Sequence, residues 1–596
     1  LYNNFQDAGR SNFMSRYLCL WYRSVVLLTV LLLLGGSVYA QNLPQLPQSV
    51  AGQNVVFPVK KCSQLSTIDL SDIGGQGSRI ISATESSSNG IAACQLEGRL
   101  APSIGFKIML PLKSWGSRYL QLGCGGLCGR ASLQVGAADS CVPLDSGGFV
   151  IAATDMGHQG MSGDFGRNPQ QREDFAYRAE HLTSIAAKKL IRLFYGRSQS
   201  FSYFTGCSDG GREALVEAQR YPDDFDGVIA GAAAMNFQVQ NAMHHSWLVI
   251  SNRGADGKAI LTADRLPLIH QAALAQCDKL DGQADGLISD PLSCHFDPGV
   301  LQCPAALSST RQASCLSAAE VGVLRRFYQG PVDAKTGRHL SAGAPLPGSE
   351  LAWSGVFVPE RAGDPVFSEI IALSSLRNLN FVDTPPADFK LTDLHFDQAT
   401  FDRLRARHTL FDATNPDLTV FANAGHKLIL WHGLADEHIS PLNSIAYHTA
   451  VQSYMGRDKA NGFERLYLLP GVYHCGGGEG PSAVDLLTPM IAWVEQGKAP
   501  QALMTYPQNP ASQPRDFGQP TSQKNDKAPA PKGIVPAAAP HAAARALFPY
   551  PYLAHYDGHG NTDDIASYQP VLPLQPFVMP DWLGADFYQP YRAGLH

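Results

Sequence analysis

The sequence predicts an α/β fold: a largely parallel sheet with helices on both faces, interrupted by one large insertion. Short apolar runs alternate with helix-length amphipathic segments through the first half of the chain, the pattern of strands joined by crossover helices. Between about residues 236 and 414 that pattern gives way to a loop-rich stretch with four cysteines, and strands resume beyond it. At 596 residues the chain is longer than one ordinary core supports, so more than one unit is expected.

The first element is a leader. Residues 25–34 (VVLLTVLLLL) form an apolar run of ten behind Arg16 and Arg23, and Val38 and Ala40 follow as small residues. A positive start, a short apolar core and a small-x-Ala site describe a secretory signal peptide over residues 1–40, cut after Ala40. The run is short of the roughly 20 residues that span a bilayer, so no stable membrane association is expected after cleavage. Met14 opens a signal peptide of normal form, and residues 1–13 are read as an upstream over-read. The expected location is secreted or periplasmic.

Residues 41–235 carry the first part of the core. Strands are expected at 104–110, 119–122, 149–154 and 201–205, with helices at 176–195 and 212–220. The insertion at 236–414 is read as a lid domain. Residues 415–506 complete the core, with strands at 427–431 and 464–469. Residues 507–596 are a Pro/Ala-rich linker and an aromatic, Pro-rich tail that packs on the core.

Composition narrows the function. Lys and Arg total 46 against 52 Asp and Glu, a net charge of −6 with no basic block, which excludes a nucleic-acid partner held by bulk electrostatics. Charged residues are only 16%, below the roughly 25% of ordinary soluble chains. Hydrophobic residues at 44% exclude a chain disordered throughout.

Export sets how the cysteines are read. Cys19 leaves with the leader, and Cys62, Cys94, Cys124, Cys128, Cys141, Cys207, Cys277, Cys294, Cys303, Cys315 and Cys475 remain as disulfide candidates. Their odd number leaves at least one without a partner in the chain. Zinc is the rival reading, but the sequence holds no C-x-x-C pair.

Chemistry enters at Gly206-Cys207-Ser208-Asp209-Gly210, a G-x-S-x-G string between an expected strand and an expected helix. In that context the sharp turn strains the serine backbone, exposes its hydroxyl and aims a helix N-terminus at the site, as in α/β hydrolases. The bland reading is a structural serine in a glycine-rich turn. A nucleophilic serine needs a histidine base and an acid to orient it, in the order Ser, acid, His. Asp436 follows one expected strand and His474 the next. Glu437 is the nearest rival to Asp436. His426, His432 and His438 compete with His474, with His432 read as a packed strand-end residue. The oxyanion hole is assigned to the backbone N–H groups of Asp209 and of Gly126, with Gly125 as its neighbour and rival. Cys207 directly precedes the serine and Cys475 directly follows the histidine, so a bond between them would tie both loops together.

The Cys-Ser, Asp, His-Cys pattern resembles the tannase and feruloyl esterase family, which includes the hydrolase of mono(2-hydroxyethyl) terephthalate. Thr154-Asp155-Met156-Gly157-His158, residues 174–181 (DFAYRAEH) and residues 221–227 (YPDDFDG) carry the same resemblance, which runs from about Cys62 to Tyr568. It implies an α/β-hydrolase core with a large lid between the nucleophile and the acid. It implies disulfides Cys62–Cys94, Cys207–Cys475, Cys277–Cys294 and Cys303–Cys315. One pair among Cys124, Cys128 and Cys141 is left open. Relatives often carry a cysteine in an R-P-L-C-P-Y-P run; here residues 545–551 read RALFPYP without it.

On residues alone, the acidic loop 277–291 is either a solvated turn or the wrapping of one hard cation. It lacks the EF-hand spacing. The resemblance implies a structural Ca2+, held by the side chains of Asp278, Asp281 and Asp285 and the carbonyls of Gln283 and Leu287. No organic cofactor is expected. The implied reaction is serine hydrolysis of esters of aromatic acids, with a small ester or feruloylated plant polysaccharide as substrate. Feruloyl-type esters rank first, gallate esters second and terephthalate monoesters third. Trp353, Phe357 and Ile439 are the candidate pocket residues, each equally readable as core. The alternative from another class is an inactive secreted binding protein on the same fold.

Overall fold

The computed structural model describes residues 54–88, 90–304, 313–508 and 544–592. The expected leader and most of the expected linker lie outside the described residues.

Nine strands form one sheet in the order β1-β2-β3-β5-β4-β6-β7-β8-β9. They are β1 (Arg79–Ser88), β2 (Ile91–Leu100), β3 (Ile104–Pro111), β4 (Arg118–Leu122), β5 (Phe149–Thr154), β6 (Phe201–Cys207), β7 (Gly227–Gly231), β8 (Lys427–Gly433) and β9 (Glu464–Leu469). The first three and the β3–β5 pair run antiparallel. From β5 through β4 to β9 every neighbour is parallel. Every residue of β4, β5 and β7 is buried, because helices cover both faces. That is why such strands read as unbroken apolar runs rather than alternations.

Helix α1 (Ala179–Tyr195) buries Thr183, Ala186, Ala187, Leu190, Ile191 and Phe194 on one side, the i, i+3, i+4 stripe of a helix on a sheet. It ends at Gly196, whose φ of 70° is the left-handed turn that stops helices. The expected start at Ala176 falls inside a single wide π turn over Asp174–Arg178. Helix α2 (Asp209–Arg220) begins directly after the candidate nucleophile, three residues earlier than the sequence suggests.

Between β7 and β8, the described residues of 232–426 form a helical insertion containing α3 (Leu266–Cys277), α4 (Ala318–Gln329) and α5 (Phe367–Asn378). Ser317 and Glu320 cap α4 reciprocally, satisfying two N-terminal donors. The insertion has its own core of Leu248, Ile269, Leu316, Leu324, Phe327, Trp353, Phe357 and Val358. After β8 come α6 (Leu442–Met455) and, past β9, α7 (Leu487–Gln496).

The C-terminal segment is more deeply built in than a surface tail. Strand β11 (Arg545–Leu547) pairs with β10 (Leu503–Thr505), and β12 (Leu553–Tyr556) pairs with β13 (Tyr568–Val571). The Tyr550 N–H donates to the Leu466 carbonyl of β9 at 2.8 Å. Trp582 is fully buried, and Tyr588 accepts a hydrogen bond from Asn236 at 2.7 Å. The segment therefore packs on the insertion as well as on the sheet.

The disulfides Cys62–Cys94, Cys207–Cys475, Cys277–Cys294 and Cys303–Cys315 are all present. The open pair is Cys124–Cys128, and Cys141 is a free, buried thiol.

Candidate active site

Ser208 sits in the turn between β6 and α2 with φ 65° and ψ −123°, a conformation that costs a non-glycine residue free energy. The surroundings enforce it. Its N–H donates to the Gly231 carbonyl at 3.0 Å, and its carbonyl accepts from Ala234 at 2.9 Å and Gly211 at 3.0 Å. A Cβ at Gly206 would lie 2.3 Å from the Gly210 carbonyl oxygen, and one at Gly210 would lie 2.7 Å from the Gly123 carbonyl carbon. Only glycine lets these backbones approach so closely.

His474 Nε2 lies 2.8 Å from Ser208 Oγ, and His474 Nδ1 lies 2.7 Å from Asp436 Oδ2. Asp436 is buried and fully satisfied. Its Oδ1 accepts the N–H groups of His438 and Ile439, both at 2.8 Å, and its Oδ2 also meets His432 Nε2 at 3.1 Å. Burial alone would raise the Asp436 pKa, but the charge of His474 and the hydrogen bonds from His432 and His474 hold it well below the usual range. Burial alone would lower the His474 pKa, but the Asp436 charge and hydrogen bond leave it above the ordinary value. His432 is pinned by Ser444 Oγ at 2.8 Å and the Ile439 carbonyl at 3.0 Å, so it braces the acid and does not face the serine. Glu437 accepts the His474 N–H at 3.2 Å and touches neither ring nitrogen of that histidine. Burial, with the Asp436 charge, pushes Glu437 up to about 8.

The Asp209 N–H opens α2, where no intrahelical acceptor exists. The Gly123–Cys124–Gly125–Gly126 loop lies against that first turn. Gly126 has φ 68°, and the Cys124–Cys128 bond closes the loop around it. Two buried side chains that the sequence reading passed over support this region. Glu213 accepts the Cys124 N–H at 2.9 Å. Arg212 clasps the Asp209 carboxylate at 2.6 and 2.9 Å and donates to the Ala176 carbonyl at 3.0 Å. Both sit on the inward face of α2, and only their spacing from the nucleophile could have marked them.

Of the three pocket candidates, Trp353 and Phe357 take the core reading. Trp353 is 0% exposed and Phe357 is 1% exposed. Phe327 meets both rings edge-on and Trp353 lies tilted against Phe357, with centroids 5.1–5.6 Å apart, inside the insertion's core. Ile439 is 3% exposed, and its backbone serves Asp436 and His432. The rings near the base are histidines and Phe367. His438 lies 4.8 Å from His474 between centroids, 6.1 Å from His245 and 4.8 Å from Phe367. Burial pushes His438 down to about 3 and His244 down to about 4, so both are neutral at the working pH of the base. The adjacent pair His244-His245 was the sequence signal for them.

In the acidic loop, Asp278 Oδ1 accepts the N–H groups of Asp285 and Gly286, both at 3.1 Å, and Asp281 Oδ1 accepts that of Gln283 at 3.0 Å. The Arg545 guanidinium reaches in from β11 to pair with Asp281 and Asp285. Asp278 makes only backbone contacts within the loop. The one described trio of ligand-type side chains gathered within 4.8 Å is His181, Glu217 and Asp224, where Lys188 also donates to Asp224. Three carboxylates against one guanidinium still leave the loop with net negative charge. Its donor set is hard-oxygen chemistry of the kind calcium takes, with Asp281 and Asp285 paired to Arg545 here.

Residues 88–571 match the family model for tannase and feruloyl esterase. The chain is 30% identical over 549 residues to the mono(2-hydroxyethyl) terephthalate hydrolase of Piscinibacter sakaiensis, covering 80% of this chain and 85% of that one. It is 30% identical over 413 residues to feruloyl esterase B of Aspergillus niger, covering 65% and 74%. The crystal structure of feruloyl esterase B from Aspergillus oryzae superposes with a TM-score of 0.70 at 25% identity, covering 86% of this chain and all of that one. Family match, fold and site agree: the chain belongs to the tannase and feruloyl esterase family and is a carboxylic ester hydrolase.

Proposed function

We propose that the chain is an exported serine esterase for esters of aromatic acids, feruloyl-type esters first. The observation that carries this reading is the unbroken chain Ser208–His474–Asp436, with links of 2.8 and 2.7 Å. His474 Nε2 takes the Ser208 proton as Oγ attacks the ester carbonyl. Asp436 accepts from Nδ1–H and stabilises the imidazolium that forms. The N–H groups of Asp209 and Gly126 stabilise the tetrahedral oxyanion. His474 then protonates the leaving alcohol. In the second half, His474 takes a proton from water, water attacks the acyl-enzyme carbonyl, and Ser208 leaves with that proton.

Gallate esters rank second and terephthalate monoesters third. A terephthalate monoester needs a cation for its free carboxylate. Arg405 is committed to Asp586, Arg403 lies over the Phe381 ring at 4.1 Å, and Arg407 lines a cavity that shares no residue with the serine, histidine or oxyanion loops. A complete triad counts against an inactive binding protein.

The loop residues Asp278, Asp281 and Asp285, with the carbonyls of Gln283 and Leu287, are proposed to hold Ca2+ when it is bound. The ion would supply structural charge compensation and no chemistry. Five disulfides among the described residues suit the oxidising compartment that the leader implies, and no helix among those residues is long and apolar enough to cross a membrane.

The test is hydrolysis of methyl ferulate, methyl gallate and mono(2-hydroxyethyl) terephthalate by the mature chain, with Ser208→Ala as control. Ser208-dependent turnover highest on methyl ferulate supports the reading. Turnover that survives Ser208→Ala overturns the mechanism, and a preference for another ester overturns the ranking.

A further inference from the structure

An open cavity of about 530 Å³ lies between the segment that precedes α1 and the loops that flank α5 and the end of the insertion. None of its lining residues belongs to the serine, histidine or oxyanion loops. Three guanidinium groups line it, those of Arg167, Arg172 and Arg407, beside Val382, Thr384 and Pro385.

Among the described residues, none of these cations has a carboxylate within ion-pair distance. Arg167 Nε donates to the neutral Asn378 Oδ1 at 2.7 Å, and Arg172 Nη1 donates to the Gly166 carbonyl at 2.7 Å. Arg407 is 9% exposed, and its Nε is buried with no hydrogen-bond partner. Burial, with repulsion from Arg172, pushes its pKa down to about 10. It is therefore still a cation at neutral pH. Asp383 and Asp388 lie exposed on the neighbouring loop, and neither forms an ion pair with the three arginines among the described residues. Glu173 reaches Arg172 only through space.

Three guanidinium groups line this one cavity, and the buried Nε of Arg407 has no hydrogen-bond partner among the described residues, a desolvation cost that an anion would relieve. Guanidinium forks match carboxylate and phosphate oxygens. A bare inorganic anion would leave most of the volume empty, and Val382 and Pro385 offer an apolar wall for a ring. We propose that this cavity is a binding site for an anionic ligand of about monosaccharide size, held by its carboxylate or phosphate group. The inference does not depend on which acyl group Ser208 transfers.

The experiment is isothermal titration calorimetry of the mature chain at fixed ionic strength with galacturonate, glucose 6-phosphate and neutral galactose. Thermal unfolding is run alongside. At least one of the two anions binds at one site per chain and raises the melting temperature, and galactose does neither. Which anion binds separates a carboxylate source from a phosphate source. Arg407→Gln and Arg172→Gln each weaken binding at least tenfold. Unliganded Arg407→Gln melts no lower than the parent, because it removes an uncompensated buried charge. Failure of both anions to bind the parent overturns the proposal, as does unchanged affinity in both variants. A marked fall in the melting temperature of unliganded Arg407→Gln also overturns it, because Arg407 would then already have a partner.

Discussion

Joint replacement of Cys207 and Cys475 by alanine tests whether the bond between the nucleophile turn and the base loop serves catalysis as well as stability. The bond spans 268 residues of sequence. The loop-closure relation puts the unfolded-state entropy it removes at about 19 cal/mol/K, or about 5.6 kcal/mol at 25 °C. The same relation gives about 2.8 kcal/mol for Cys303–Cys315, which spans 12 residues within the insertion. Native disulfides deliver about 2–5 kcal/mol. At about 2.1 cal/mol/K per residue over about 550 residues, 5 kcal/mol lowers the melting temperature by about 4–5 °C. The kinetic contrast is sharper. Ser208 and Cys475 both hold positive φ, 65° and 62°, and the bond fixes the backbone on either side of the 2.8 Å Ser208–His474 contact. A displacement of about 1 Å there costs about 100-fold in rate. Melting by calorimetry and kcat on methyl ferulate are measured for Cys207→Ala/Cys475→Ala and for Cys303→Ala/Cys315→Ala. The first variant loses about 100-fold in kcat, and the second keeps kcat. If the first variant stays within threefold of the parent, or the second loses as much, the bond does not position the triad.

Four further outcomes follow from the site. Asp436→Asn leaves His474 in the wrong tautomer and lowers kcat by about 10⁴-fold, with the fold unchanged by circular dichroism. Because the pKa of His474 is raised, its neutral, working form is lost as pH falls. The acid limb of kcat/KM in the free enzyme therefore has its midpoint above the ordinary histidine value of about 6.5; a midpoint below that value refutes the assignment. Glu213→Gln keeps an acceptor for the Cys124 N–H and retains activity, whereas Glu213→Leu strands that donor, costs about 1–3 kcal/mol and lowers kcat more than it changes KM. Chelation with EGTA lowers the melting temperature but leaves turnover at 25 °C unchanged over the assay, and added Ca2+ restores the melting temperature. An ion at 100 times its Kd is worth about 2.7 kcal/mol.

The sequence was most legible where one physical requirement dominates. Strands β5 and β9 coincide with their expected spans, and β3 and β8 lie within two residues of theirs, because strands of a sheet covered on both faces are largely buried and read as mostly apolar runs. The triad was legible because strand-end loops in this topology converge on one rim. The hairpin of β1 and β2 was missed, since RIISATESSS carries neither an apolar run nor a clean alternation. Strand β7 was missed because only five residues, GVIAG, with glycine at both ends, give a weak signal. Trp353 and Phe357 misled because an aromatic pair in a lid reads alike as pocket wall or as core, and only the rings of Phe327 and Tyr328 around them decide. Glu213, Arg212 and the histidines around His438 act through contacts between distant segments, which no local pattern encodes.

The two borders of the sheet are guarded by different means. At one border β1 exposes Arg79, Thr84, Glu85 and Ser87 to water beside Ile81, a mostly polar rim that discourages another strand from docking. At the other, β9 is covered by the chain's own end, through the Tyr550–Leu466 backbone bond and the β10–β11 ribbon. The C-terminal segment thus acts as a shield against self-association. A chain ending at residue 508 would present the bare flank of β9 to its neighbours and would be expected to aggregate at concentrations where the full-length protein stays dispersed.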